Sequence, residues 1–405
     1  MTHAAPAPLH VRLLMADTGG GHRATAEALA ASLTAQDPEA RVEVVDLFSE
    51  AGGPARIPPL WYAWLMTHPK VWGAMFHALD GRRRRFFVWA PFYFSQERTY
   101  RRLITEDAPH AVVVVHPGFT AGTRRAVSKT DETTAICTVV TDPISGHASW
   151  YEAGMDLTVV STDEAAERAR TLGVEDETIE VVDHPVHPRI PALSRQRDDL
   201  RRRYGWSDRK VVLCTGGGDA AGTLSTVAAA LRENTDAHVV VVCGRNQALR
   251  KALSAIDGLE VLGFVDDLPE RMAAADVVVT KAGPSTLAEA GAVGTPVVVY
   301  DHMPGQEVGN LQWVTSRGWG RVADQLAQVA PQVNAWLDDV DARRALRDRA
   351  QAKAGSPTAS DRIARLLLER ARDAYQARAR QDSAHDEGRR IAGLQRLAHL
   401  QAVFQ

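Results

Sequence analysis

The sequence predicts an α/β protein of two Rossmann-like parallel sheets facing each other across a cleft. Three observations predict it. Short valine-rich runs alternate with helical stretches through most of the 405 residues, and continuous apolar strands of this kind are buried on both faces of a parallel sheet. The alternation occurs twice, on either side of the Pro- and Arg-rich stretch HPVHPRIPALSRQRDDLRRRYGW at 184–206, which contains no strand pattern. Each half opens alike, with an apolar strand, three consecutive glycines and a helix.

In the first half the strand candidates are HVRLLMA, RVEVVDL, HAVVVVH, TAICTVVT, MDLTVVS and IEVVD; in the second they are KVVLCT, HVVVVCG, LEVLGF, ADVVVT and TPVVVY. Helical segments such as ATAEALAASLTAQ, DEAAERARTLG and GQEVGNLQWVTSRG lie between them. The expected organisation is a first unit over residues 1–188, interrupted at about 61–102 by an aromatic and basic insertion, and a second unit over 189–358. A helical tail follows over 359–405, either packed back across the first unit or extended into solvent.

A formal net charge of -3 gives no large field to gather nucleic acid or membrane, so such attraction must come from a local patch. Cys137, Cys214 and Cys243 each sit in or beside an apolar run, with a spacing that fits neither a zinc site nor a disulfide framework. They read as small core residues in a reducing cytoplasm. The opening MTHAAPAPLH lacks the apolar core of a signal peptide, and no apolar run is long enough to span a bilayer. The expectation is a cytoplasmic protein whose membrane contact, if any, is peripheral.

The first glycine loop, in LLMADTGGGHRATAEALA, places Gly19, Gly21 and Ala24 at the spacing of a dinucleotide fingerprint, with Asp46 closing the next strand. Gly216, Gly218 and Ala221 repeat the spacing after KVVLCT, with Gly217 between them. The plain alternative is that tight strand-to-helix turns need glycine whatever they bind. His22 counts against an NAD enzyme, because an imidazole adds bulk where that fingerprint wants close backbone approach. Read chemically, the N–H groups at Gly20 and Gly21 and the helix end behind them favour an anion. The same positive end keeps a histidine neutral and able to accept a proton. His22 is thus either a general base facing the cleft or a turn histidine without chemistry.

The stretch GFVDDLPERMAAADVVVTKAGPSTLAEAGAVGTPVVVYDHMPGQEVGN, residues 263–310, carries a second anion seat. After the strand, Gly283 leads into Pro284, suited to the first helical position, with the hydroxyls of Ser285 and Thr286 in the first turn. Glu289 lies one turn in, placed for ribose hydroxyls. Gly305, Gln306 and Glu307 open the next helix, where an amide and a carboxylate can read sugar hydroxyls. Each feature alone is more often structural; their order and spacing together point to a diphosphate and its two sugars.

These residues resemble the monogalactosyldiacylglycerol synthase and processive diacylglycerol glucosyltransferase family, glycosyltransferase family 28-like, over about residues 11–319. The matching motifs are DTGGGHRATAEA, VVTDPISGHASWYEAGMDLTVVST, GFVDDLPERMAAADVVVTKAGPSTLAEA and PGQEVGN. The resemblance implies a GT-B fold, a UDP-sugar donor as the sole cofactor, inversion at the anomeric carbon and no required metal. It also implies that His22 is the catalytic histidine, that Phe264 and Val265 hold uracil, and that Ser285, Thr286 and Glu289 contact phosphate and ribose. Gln306 and Glu307 match the sugar-reading pair. The sequence departs from the family at Pro284, where a second glycine is common, and at Asp183-His184, where glycine and an aliphatic residue are usual.

The acceptor side is expected in the first unit. Gly20 and Gly21 are assigned to it, and His147 and Trp150, which follow a strand, are candidates for it or belong to a structural loop. Residues 81–102 hold seven arginines and one acid, Glu97. Arg82, Arg83, Arg84 and Arg85, with Phe86, Phe87 and Trp89, suit an anionic bilayer surface on the inner face of the cell membrane; the alternative is a helical insertion with aromatics inward. Asp266-Asp267 and Asp338-Asp339 read as caps or surface, so no metal is expected. The function implied is hexosyl transfer, of glucose or galactose, to diacylglycerol. Alternatives are a polyprenyl-linked or other lipophilic acceptor, a non-catalytic nucleotide-binding protein and an NAD enzyme.

Overall fold

The computed structural model describes residues 8–17, 20–50, 68–106, 108–130, 133–218 and 223–403, with side chains to 384 apart from those of 92 and 382. Gly19 and Ala221 of the two fingerprints, residues 61–67 of the aromatic insertion and the opening seven residues lie outside the described residues.

The first sheet is formed by β1 (His10–Met15), β2 (Arg41–Asp46), β3 (Ala111–Val114), β4 (Ala135–Val139), β5 (Leu157–Val160) and β6 (Ile179–Val181), in the order β2-β1-β3-β4-β5-β6. The second holds β7 (Val211–Thr215), β8 (His238–Val242), β9 (Leu259–Leu262), β10 (Val277–Lys281), β11 (Val297–Asp301) and β12 (Gly320–Val322), in the order β12-β11-β10-β7-β8-β9. Every pairing is parallel. All eleven expected strands are present. The twelfth, β12, was not expected: it is only three residues, Gly-Arg-Val, too short and too polar to show periodicity.

The strands explain why the sequence reads as valine runs rather than as alternation. Along β1, Val11, Leu13 and Met15 enter one core while Leu14 enters another. Along β3, Ala111 and Val113 join the first of these and Val112 and Val114 the second. The second sheet does the same, with Val211 and Leu213 on one side and Val212 and Cys214 on the other. Both faces are covered, so apolar residues fall on both sides of these strands instead of alternating with polar ones. The three cysteines are free and buried, as expected of core residues.

The helix Ala359–Val403 decides between the two readings of the tail. Its stripe Ile363, Ala364, Leu367, Leu368 and Ala371 is buried in the same core as Val11, Leu13 and Val113 of the first sheet. Ser32 Oγ donates to Asp361 Oδ1 at 2.8 Å, and the Arg378 guanidinium donates to the Ala108 carbonyl at 2.6 Å. This helix is therefore part of the first sheet's cover, not an appendage.

The aromatic and basic stretch forms helices Pro69–Leu79 and Phe86–Thr105, the latter broken at Gln96, where φ is -129°. Tyr93, Tyr100, Leu103 and Ile104 fill the core beneath Val112 and Val114. Phe86, Phe87 and Phe94 remain 46%, 67% and 57% exposed, beside exposed Arg82, Arg83 and Arg84. Two residues expected on the membrane surface lie elsewhere. Arg85 is buried and paired with Glu152 at 3.0 Å, because its side chain turns inward from the start of the helix. Trp89 is partly buried, packed on the core beneath the sheet. No described helix is long and apolar enough to cross a membrane.

Leu367 is fully buried between the C-terminal helix and the first sheet. Leu367→Ala should cost about 2–5 kcal/mol, read as a lower urea midpoint of the unfolding transition that reports the first sheet. An extended tail would leave that midpoint unchanged.

Candidate active site

In an open parallel sheet, ligands bind beyond the carboxyl ends of the strands where the strand order reverses. The first sheet reverses between β1 and β3, the second between β7 and β10. The loops leaving these strands carry Gly20 and Gly21, His116, Gly216 and Gly217, and Gly283. Gly20, the N-cap of helix Gly21–Gln36, has φ +88°, a left-handed conformation that glycine adopts without a Cβ penalty. Gly217 has φ +80° for the same reason, in the turn after β7.

His22 stands in the first turn of that helix. Its ring lies edge-on to His116 at 4.8 Å and tilted against Trp150 at 5.9 Å, with Nδ1 3.4 Å from Thr141 Oγ1. Burial pushes its pKa down to about 4, against the opposing effect of a hydrogen bond at the Val115 backbone. The imidazole is thus neutral at pH 7, as expected, but burial is the main cause rather than the helix end. His116, which shares the space, is held below the ordinary histidine value by burial and by His22.

The second anion seat faces the first. Helix Pro284–Val293 starts at Gly283, where a Cβ would meet open space, and Ser285 Oγ donates to the Gly21 carbonyl at 3.5 Å. Two helix N-termini therefore abut across the cleft. Thr286 is half-buried in the same first turn, and Glu289 lies one turn further. Burial pushes the Glu289 carboxyl up to about 7, with Arg189 pulling it down and Glu270 pushing it up. Phe264 is 60% exposed after β9, and Val265 packs against the second sheet's core.

The loop 303–307 is clamped to the first sheet's loops. Ser145 Oγ donates to the Gln306 carbonyl at 2.6 Å and accepts from Gly309 N at 3.1 Å. Gly305, at φ +82°, has no room for a Cβ, which would stand 2.6 Å from Phe76 Cδ1. Glu307 Oε2 accepts from the Met303 N–H at 2.7 Å, and burial pushes its carboxyl up to about 7.

Asp142 joins the two sides. It is 2% exposed; its Oδ2 accepts from Trp150 Nε1 at 2.6 Å and its Oδ1 from Gln306 Nε2 at 3.4 Å. Burial pushes its pKa up to about 6, against the effect of those two hydrogen bonds. Asp142, Thr141, Ser145 and His116 were not singled out from the sequence. The signal was present: each is a polar residue at or just past the end of an apolar strand, in TAICTVVT–DPIS and HAVVVVH.

His147 and Trp150 lie in the wall rather than facing a substrate space. His147 is buried, pairing Nδ1 with Ser149 Oγ at 2.9 Å and packing on Phe76 at 4.9 Å. Trp150 is fully buried, between Asp142 and His22. Among the described residues no cluster of three or more His, Cys, Asp or Glu is arranged to hold a metal ion.

Residues 22–186 match the description Monogalactosyldiacylglycerol (MGDG) synthase, and residues 211–361 match the glycosyltransferase family 28 C-terminal domain. The chain is 32% identical over 345 residues to a probable monogalactosyldiacylglycerol synthase 2 of Oryza sativa subsp. indica, covering 81% of this chain and 73% of that protein. It belongs to the monogalactosyldiacylglycerol synthase family of glycosyltransferases. The chloroplastic synthase of Spinacia oleracea is likewise 32% identical over 346 residues, 82% of this chain, and the chain spans 66% of that protein's length. Among solved structures, Anabaena Alr3699/HepE in complex with UDP-glucose aligns with a TM-score of 0.53 at 14% identity, over 89% of this chain and 98% of that one. Acinetobacter baumannii MurG aligns with a TM-score of 0.52 at 16% identity, over 89% and 100%. At such identities these structures share the fold, GT-B.

Glu289 offers a test of the site's burial. An acid whose folded pKa of about 7 exceeds its unfolded value of 4.5 favours folding when protonated, and that contribution is lost as pH rises through the folded pKa. Glu289→Gln removes the titration. The variant should match the parent's melting temperature at pH 4.5 and exceed it by about 2 °C or more at pH 8.5, measured by calorimetry. Equal differences at both pH values would mean that Glu289 titrates normally.

Proposed function

We propose that this protein moves a hexose from a UDP-sugar to the hydroxyl of diacylglycerol, with inversion at the anomeric carbon. The relatives named above are galactosyl enzymes by name, so galactose is the first donor to test. The observation that carries the reading is the meeting of two helix N-termini, at Gly21 and Pro284, with a neutral histidine beside them. Such a place favours a diphosphate and leaves a base free to take a proton. Membership of the family supplies the substrate class.

In this reading the second sheet's loops hold the donor. The Gly283–Thr286 turn and the loop at Gly216 and Gly217 receive the diphosphate, Phe264 and Val265 flank the uracil, and Glu289 takes the ribose hydroxyls. Gln306 and Glu307 face the hexose. The first sheet takes the acceptor. His22 removes the proton from the attacking hydroxyl as its oxygen bonds to the anomeric carbon, and the bond from that carbon to the diphosphate breaks, releasing UDP. The developing charge falls on the helix N-termini, so the reading requires no metal, and activity is expected to persist in EDTA. Exposed Phe86 and Phe87 with Arg82, Arg83 and Arg84 give reversible attachment to the cytoplasmic face of the cell membrane, each basic residue adding about 1 kcal/mol near an anionic surface.

The test is incubation with diacylglycerol in anionic vesicles and UDP-galactose or UDP-glucose in separate tubes, read by mass spectrometry and UDP release. A hexosyl-diacylglycerol in either tube is the expected product; UDP release without it would move the acceptor to another lipid alcohol. His22→Ala should lower turnover by about two to four powers of ten with unchanged UDP affinity. Near-normal turnover would remove His22 from the chemistry. Phe86→Ser with Phe87→Ser should release the protein from anionic vesicles in flotation and leave hydrolysis of soluble UDP-sugar unchanged; retained flotation would place the membrane surface elsewhere.

A further inference from the structure

The chain passes between the two sheets twice. The first passage follows β6, and the second joins helix Val340–Lys353 to the C-terminal helix that returns to the first sheet. Both passages line a cavity of about 580 Å³, through Asp183 and His184 on one side and Pro357 and Thr358 on the other. This size lies within the range of small-molecule sites.

The lining is amphipathic. Trp313 and Trp319 form an indole wall, their rings 5.6 Å apart and edge to face. Arg349, Lys353 and Arg362 line the opening, and among the described residues no acid stands within ion-pairing distance of them. The fourth cation, Arg317, is committed: it pairs with Asp183 at 2.8 Å and lies over the Trp313 ring at 5.4 Å. Three cations thus stand uncompensated beside an apolar wall.

His184 sets this cavity apart from ordinary clearance. It is 4% exposed, yet neither ring nitrogen has a hydrogen-bond partner, and the neighbouring Trp313 Nε1 also lacks one. Burial pushes its pKa down to about 4, so the ring is neutral, with one donor and one acceptor unused. Buried polar groups in a native fold are almost always satisfied, so these call for a partner that the described residues do not provide.

We propose that this cavity is a binding site for a small amphipathic anion, a carboxylate or phosphate ester on an apolar body. The charge lies among Arg349, Lys353 and Arg362, the body against Trp313 and Trp319, and His184 hydrogen-bonds to the occupant. Such a ligand touches both passages of chain and so bridges the two sheets. The site does not depend on the transfer reaction, because binding is measured directly.

The experiment is isothermal titration of the full chain with decanoate, decyl phosphate, decanol, acetate and inorganic phosphate. One of the two amphipathic anions should bind once per chain, and which one binds identifies the head group. Decanol, acetate and inorganic phosphate should bind at least tenfold more weakly, lacking either charge or body. His184→Val, and separately Arg349→Ser with Lys353→Ser, should each weaken binding about tenfold with unchanged melting temperatures. The second variant alters only exposed side chains, so it decides the matter should His184→Val fail to fold. The proposal is overturned if neither anion binds, if decanol binds as tightly, or if the folded variants bind as the parent does.

Discussion

The closest constraint on this molecule is the meeting of two positive helix ends. The N-termini at Gly21 and Pro284 approach until Ser285 Oγ lies 3.5 Å from the Gly21 carbonyl. Left alone, like partial charges at this distance repel. They are held by groups that bridge the sheets nearby: the Asp142 carboxyl accepting from Gln306, and Ser145 tied to Gln306 and Gly309. Gly21 and Gly305 allow the approach, since a Cβ at Gly21 would lie 3.3 Å from Ser285 Oγ and one at Gly305 would clash with Phe76. Parallel sheets make the meeting possible, because every strand points its carboxyl end toward the cleft.

Burial then sets the charge state of everything around those ends. The same desolvation moves His22 down to about 4 and moves Asp142 up to about 6 and Glu289 and Glu307 up to about 7. The directions differ because burial disfavours whichever form is charged. A neutral imidazole and reluctant carboxyls leave the positive helix ends weakly opposed. A diphosphate entering this space meets less negative charge than three ordinary carboxylates would present, because Glu289 and Glu307 are partly protonated at neutral pH, while the histidine remains free to accept a proton. One physical cause thus provides both the anion seat and the base.

Much of this was legible in the sequence, and the exceptions share a reason. Strands buried on both faces announce themselves as valine runs, and glycine before a helix announces a turn with positive φ, as at Gly20 and Gly217. These are local signals. Asp142 was missed because its role comes from Gln306, 164 residues away. Arg85 was misplaced because its partner, Glu152, comes from another part of the first unit. The C-terminal helix shows the boundary well. The spacing of Ile363, Ala364, Leu367, Leu368 and Ala371 marks one apolar face, but nothing local says that the face belongs on the first sheet rather than the second. β12 was missed for the opposite reason, being too short to have a pattern at all.

The helix Phe86–Thr105 gives the proposed acceptor path a physical form. Its exposed end presents Phe86 and Phe87, while Tyr93 and Tyr100 pack in the core that also holds Phe48 and Phe119. Those two phenyl rings reach His116, at 6.1 Å and 4.6 Å, and His116 lies 4.8 Å from His22. Aromatic contacts therefore run from Phe48 and Phe119 through His116 to the proposed base. The helix itself is kinked at Gln96. The aromatic residues of this stretch consequently do two things that the sequence alone presented as alternatives. Tyr93 and Tyr100 anchor the helix on the sheet, and Phe86 and Phe87, freed from the core by that anchoring, are left facing outward at the end where the arginines cluster.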